Sequence, residues 1–200
     1  DATGNQSFEI GGDVVHFDPG SAALWIFDHR TQSERKPVTS DLVMFHRLIQ
    51  NLENFHFQST GLIGSDVPDN IADCYRLYIA FQHCSKPIVT GIFVNEGIRP
   101  MFDMLVAVRG SAQELKKKPL AIFDACPSPP LKWSDLTAQS VIECARAGIP
   151  SEIISVPLLG ATAPVTLAAA LVQLTAENLS GVVLSQIAHP GAPVIFGGSQ

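Results

Sequence analysis

Two carboxylates stand where a strand would hand the chain on to a loop: Glu96, just past the β-branched run 87–94, and Asp124, just past 120–123. A carboxylate at such an edge can balance a cationic substrate or take a proton from it. Phe123 and Trp133 flank the loop DACPSPP, whose three prolines leave few amide donors and a stiff backbone. An aromatic lining beside a carboxylate is an arrangement that holds a quaternary ammonium, through cation–π attraction and charge balance. The other polar groups at strand ends are Gln58, Asn95, Cys126, Ser128, Ser155, Thr162 and Ser199. Plainer roles stand beside these. Glu96 and Asp124 each sit where a side chain can cap the next helix, Thr162 reads first as a helix cap, and Cys126 as a buried thiol with nothing adjacent to activate it. Taken alone, Phe123 and Trp133 read as core.

The chain that must position these groups alternates strand and helix patterns. Its clearest unit ends the sequence: a strand over 152–156 closed by Pro157, a tight turn at Gly160, a helix capped by Thr162 with Pro164 in its first turn, and a stop at Pro190-Gly191 before a strand over 193–196. Upstream, the spacing predicts strands over 55–60, 87–94 and 120–123. Helices follow over about 40–50, 70–84, 99–109, 111–117 and 134–147. Ahead of them, 7–18 and 23–28 read as a hairpin about the turn Asp18-Pro19-Gly20-Ser21, and 30–36 as an exposed polar stretch. The count is about five parallel strands in one domain over 1–200, with a hairpin extension over 1–40 and βα units over 41–200. Such α/β chains form an open doubly wound sheet or a (β/α)8 barrel, and either presents its site beyond the C-terminal strand ends. Five strands fill only part of a barrel.

Composition narrows the function classes. A net charge of −6, with Lys116–Lys118 the one basic run, speaks against nucleic-acid binding. Neither GxGxxG nor a P-loop is present. Four scattered cysteines without CxxC spacing read as reduced thiols of a cytoplasmic protein rather than a disulfide scaffold or a metal site. Residues 153–174 carry no charge, but Pro157, Gly160 and Pro164 interrupt them, and neither part reaches the ~20 apolar residues of a membrane span. The first residues lack a signal-peptide pattern, and a chain opening on Asp1 rather than Met reads as starting away from the start of translation.

The run PLLGATAPVTLAAALVQLTAENLSGVVLSQIAHPGAPVIFGGS resembles the trimethylamine methyltransferase family, which includes glycine betaine methyltransferases; KPIVTGIF and FDACPSPPLKW resemble the same family upstream. The resemblance implies a partial (β/α)8 barrel and transfer of a methyl group from a methylated amine or betaine to the cobalt of a corrinoid on a separate protein, with no cofactor held tightly by this chain. A half-barrel would expose sheet edges and apolar strand faces, so a homo-oligomer is expected. With the resemblance, Glu96 and Asp124 are expected to face the cation as catalytic groups. Gln58, Phe123, Ser128, Ser155, Gly160 and Thr162 are expected to line the substrate, the Gly160–Thr162 turn receiving a betaine carboxylate at a helix N-terminus. Two rivals remain at this point: another barrel enzyme, lyase or aldolase, with Glu96 or Asp124 as base, and a non-catalytic fragment of the methyltransferase.

Overall fold

The structure, a computed structural model, describes residues 1–198. The chain divides into two compact units, Asp1–Ser111 and Ala112–Gln200.

In the first unit, β1 (Ile26–Asp28) and β2 (Ser33–Arg35) form an antiparallel hairpin, with Ile26 opposite Arg35 and Asp28 opposite Ser33. Arg35 holds it together. Its Nε donates to Asp28 at 2.7 Å, and its two terminal nitrogens grip Asp41 at 2.7 and 2.8 Å. Asp41 also accepts the Val38 amide, capping α1 (Thr39–Gln50). The hairpin thus falls later than the expected 7–18/23–28 pairing, and 30–36 contributes a strand rather than a free loop. Residues 7–18 alternate for another reason. Phe8 and His16 pack against His56 and Phe57, and the Phe17 carbonyl accepts from His56 and Phe57 at 3.0 and 3.2 Å. Phe8, His16 and Phe17 are used by an aromatic cluster, not a sheet, while Ile10, Val14 and Val15 stay exposed.

The parallel pair β3 (Gln58–Ser59) and β4 (Ile88–Gly91) follows, connected by α2 (Asp69–His83). Buried Leu42, Ile49, Leu77 and Ala80 come from α1 and α2 at helical spacing. After β4 the chain makes a 3-10 turn at Asn95–Gly97 and enters α3 (Ile98–Arg109), which Gly110 ends in the left-handed conformation at φ +98°.

The second unit contains α4 (Ala112–Lys117), β5 (Ala121–Ala125), α5 (Asp135–Ala147), β6 (Ser151–Ser155), α6 (Leu167–Ala188) and β7 (Val194–Gly198). β6 pairs in parallel with β5 on one side and β7 on the other. Ser134 caps α5 by accepting the Thr137 amide at 3.1 Å. Strand and helix alternate from β3 onward and five strands run parallel within their units, the repeat of a partial (β/α)8 barrel.

α6 departs from expectation at its start. The chain between Leu158 and Ala163 closes a turn of its own, and the helix begins at Leu167, beyond Pro164. Freed of the interrupting residues, its 22 residues are long and apolar enough to cross a membrane by length and composition, with mean hydropathy 1.5. The interruptions expected within 153–174 are there, and the long apolar run begins beyond them, at Leu167. Its sheet-facing side is polar or small: Ala170, Glu177, Asn178, Gly181 and Ser185 are buried.

Candidate active site

Strand register sorts the predicted groups of the second unit onto two faces. Side chains alternate along a strand, and register partners in a parallel pair share a face. Ala125 and Ile153 pack with Val141 of α5 and Leu184 of α6, so the helices lie on that side. Phe123 and Ser155 belong to the same face. Phe123 is fully buried, and Ser155 donates its hydroxyl to Glu177 of α6 while its amide donates to Asn178 at 3.1 Å. Both were expected to touch substrate; both instead join sheet to helix. Asp124 lies on the opposite face, with Glu152 as its register partner on β6. That face corresponds to the inside of a barrel, and neighbouring strands run about 4.8 Å apart. Two adjacent carboxylates there can hold a cation or share a proton.

Cys126 follows. The residue is exposed rather than buried as expected. Desolvation of its sulfur, then the charges of Asp124 and Glu152, push the thiol above its ordinary range, so it is a poor nucleophile.

The proline-rich loop closes on itself. Ser128 and Lys132 exchange backbone bonds of 2.7 and 3.1 Å around the cis Pro129-Pro130 bond, leaving Ser128 exposed. Trp133 packs on the core and donates its indole N–H to Ser180 at 2.9 Å. With Phe123 buried as well, the two aromatics form no cation-holding pair. Glu177, 2% exposed, fixes the loop to the strand edge: besides Ser155, it accepts from the Leu131 amide and from Gln173, each at 2.9 Å. Gln173 in turn donates to the Thr162 carbonyl.

The turn Gly160–Thr162 does not form a helix N-terminus. The amides of Ala161, Thr162 and Ala163 all donate to the Leu158 carbonyl, and the Thr162 hydroxyl accepts from the Leu158 amide at 3.0 Å. With those donors already engaged, the turn has no amide nest for a carboxylate. Gly160 serves the turn by its φ of +77°.

In the first unit, Gln58 opens β3 and so lies at the strand's N-terminal end, away from the predicted edge. It is fully buried and donates to the carbonyls of Cys84 and Lys86 at 3.0 and 2.8 Å. Asn95 and Glu96 are exposed in the 3-10 turn after β4. That turn is held from α2. Asp73 accepts the amides of Phe93 and Val94 at 2.7 and 3.0 Å, and its other oxygen pairs with Arg76 at 2.8 Å. Ser199 lies outside the described residues. Among those residues, no group of three or more His, Cys, Asp or Glu is arranged to hold a metal ion.

The model of the family described as trimethylamine methyltransferase (MTTB) matches residues 2–200. The chain belongs to the trimethylamine methyltransferase family. A trimethylamine methyltransferase MttB of Desulfitobacterium hafniense (strain DSM 10664 / DCB-2) is 30% identical over 190 residues, covering 95% of this chain and 38% of that protein. A glycine betaine methyltransferase of D. hafniense (strain Y51) is 29% identical over 189 residues, 94% of this chain and 39% of that one. The MttB of Methanosarcina barkeri is 40% identical over 164 residues, 81% of this chain and 33% of the relative. The chain thus spans about two-fifths of the length of the first two relatives.

Sequence reasoning missed Glu152, Glu177, Asp73 and Arg76 in this family member. Glu177 had one visible signal, as an acidic residue in an otherwise uncharged helical run. The others show their value only once register and packing are known.

Proposed function

We propose that this chain is part of a methyltransferase that moves a methyl group from a methylated amine or betaine to the cobalt of a corrinoid carried by a separate protein. The family match across residues 2–200 carries this reading. The acceptor is a second substrate, supplying a reduced metal that takes the methyl group in line as the amine departs. A quaternary ammonium leaves as a neutral amine, so no proton need be delivered to it, and the protein's task is placement and charge.

Asp124 is the group we assign to the cation, with Glu152 beside it on the same face. Within the first unit, Glu96 at the strand-end turn keeps its expected assignment as a carboxylate for a cationic group. The four free cysteines support a reducing, cytoplasmic setting. Exposed Val172, Leu179 and Val183 on α6 support self-association into a homo-oligomer.

The test uses full-length protein with its corrinoid protein and a panel of trimethylamine, glycine betaine and proline betaine, following methylation of the corrinoid by its visible spectrum. One of the three should methylate it, and Asp124→Asn should lower kcat/KM by about ten-fold or more. No transfer from any methylated amine rejects the function. Transfer undiminished in Asp124→Asn rejects that residue's role alone.

A further inference from the structure

Arg76 and Asp73 are a buried ion pair, 2% and 3% exposed, in the middle of α2. Burying two charges is costly, and a buried pair is a poor device for stability alone. Their other contacts all reach one place. Asp73 Oδ2 takes the amides of Phe93 and Val94. Arg76 donates to the Thr60 carbonyl at 3.1 Å, past the end of β3, and its guanidinium lies 4.9 Å from the centre of the Phe93 ring. Gly97 closes the same turn: a Cβ there would stand 3.3 Å from Asp73 Cβ and Oδ2, so α2 meets the turn at near-minimum distance. Its backbone, at φ −74°, is open to any residue, so close approach rather than conformation calls for glycine.

We propose that Asp73 and Arg76 are positioning residues that set the β4–α3 turn, and thereby the Glu96 carboxylate, at the substrate edge. This rests on the methyltransferase reading and on the role assigned there to Glu96. Arg76 orients Asp73 by taking one of its oxygens; the other oxygen then orders two successive amides of the turn. Glu96 follows two residues later, inside a 3-10 turn closed by the Gly97 amide on the Val94 carbonyl at 3.0 Å. A carboxylate so placed needs no rearrangement to meet a cation.

The experiment is a double-mutant cycle in the full-length protein, with methyl transfer to the corrinoid protein as readout and hydrogen exchange of the Phe93 and Val94 amides beside it. Asp73→Asn and, as a milder displacement that leaves every charge in place, Gly97→Ala should each lower kcat/KM about ten-fold or more, chiefly in kcat. In a Glu96→Gln background the same changes should cost nothing further, because what they displace is already gone. In Asp73→Asn, exchange at Phe93 and Val94 should accelerate while the core amides of β4 do not. Losses that persist undiminished in the Glu96→Gln background, or amides that keep their protection, overturn the proposal. Should Asp73→Asn fail to fold, Gly97→Ala decides on the cycle alone. A wild-type protein that transfers no methyl group overturns the functional reading and the catalytic half of this one, and the exchange data still report whether Asp73 holds the turn.

Discussion

Glu177 receives three hydrogen bonds in a site 2% exposed, from Ser155, the Leu131 amide and Gln173. It sits on a helix yet governs the loop after β5 and the end of β6, so its loss is felt in both. Glu177→Ala should destabilise the protein by about 3 kcal/mol, since the buried Ser155 hydroxyl and two part-buried donors lose their acceptor; urea denaturation checks this, and a loss under about 1 kcal/mol counts against the staple. His46 adds a pH dependence. The ring is buried on α1, and burial pushes its pKa from 6.5 down to about 4, with the nearby Gln58 side chain opposing the shift and His83 adding to it. As pH falls below 6.5 the unfolded chain takes up the proton first. Stability should therefore drop between about pH 6.5 and 4, by on the order of 3 kcal/mol, and level off below. His46→Gln should remove this slope in denaturation curves at pH 7 and 4.5. Such roles were not legible in the sequence. A lone His or Glu on a helix says nothing of its partners, and the likeness of Asp124 to Glu152 lies in strand register, which no single sequence states.

At the scale of elements, the helix periods and glycine stops predicted most boundaries within a residue or two, because those signals are local. What failed depended on competition between local patterns. Residues 7–18 alternate as a strand does, but their aromatics found ring partners in His56 and Phe57. Thr162 and Pro164 looked like the opening of α6, yet the Leu158 carbonyl drew three amides into a separate turn. Phe123 and Ser155 were assigned by nearness to a strand end without knowing which face they occupy. α6 itself lies close against β6. A Cβ on Gly181 would fall 2.8 Å from Ile153 Cγ2 and 3.0 Å from Trp133. Gly181→Ala should thus displace the helix and cost about 1–3 kcal/mol. On β7 a Cβ at Gly197 meets nothing within 4 Å, and Gly197→Ala should fall within about 1 kcal/mol of the wild type. Thermal unfolding of the pair tests the helix contact, and equal losses would contradict it.

At the scale of the whole molecule, the strand–helix repeat and the family were both readable from sequence. The α/β class follows from alternating patterns, and the family from the resemblance carried by runs such as GATAPVTLA and PGAPVI, which the match over residues 2–200 bears out. The paired carboxylates of Asp124 and Glu152 support the proposed cationic substrate, while the closed Gly160–Thr162 turn offers no helix N-terminus to the expected betaine carboxylate. The most direct test supplies deuteromethyl-labelled trimethylamine or glycine betaine to the full-length protein with reduced corrinoid protein, and follows the label by mass spectrometry. The account predicts labelled methyl on the corrinoid and release of the demethylated amine in equal amount. Consumption of the substrate with no label on the corrinoid would contradict it.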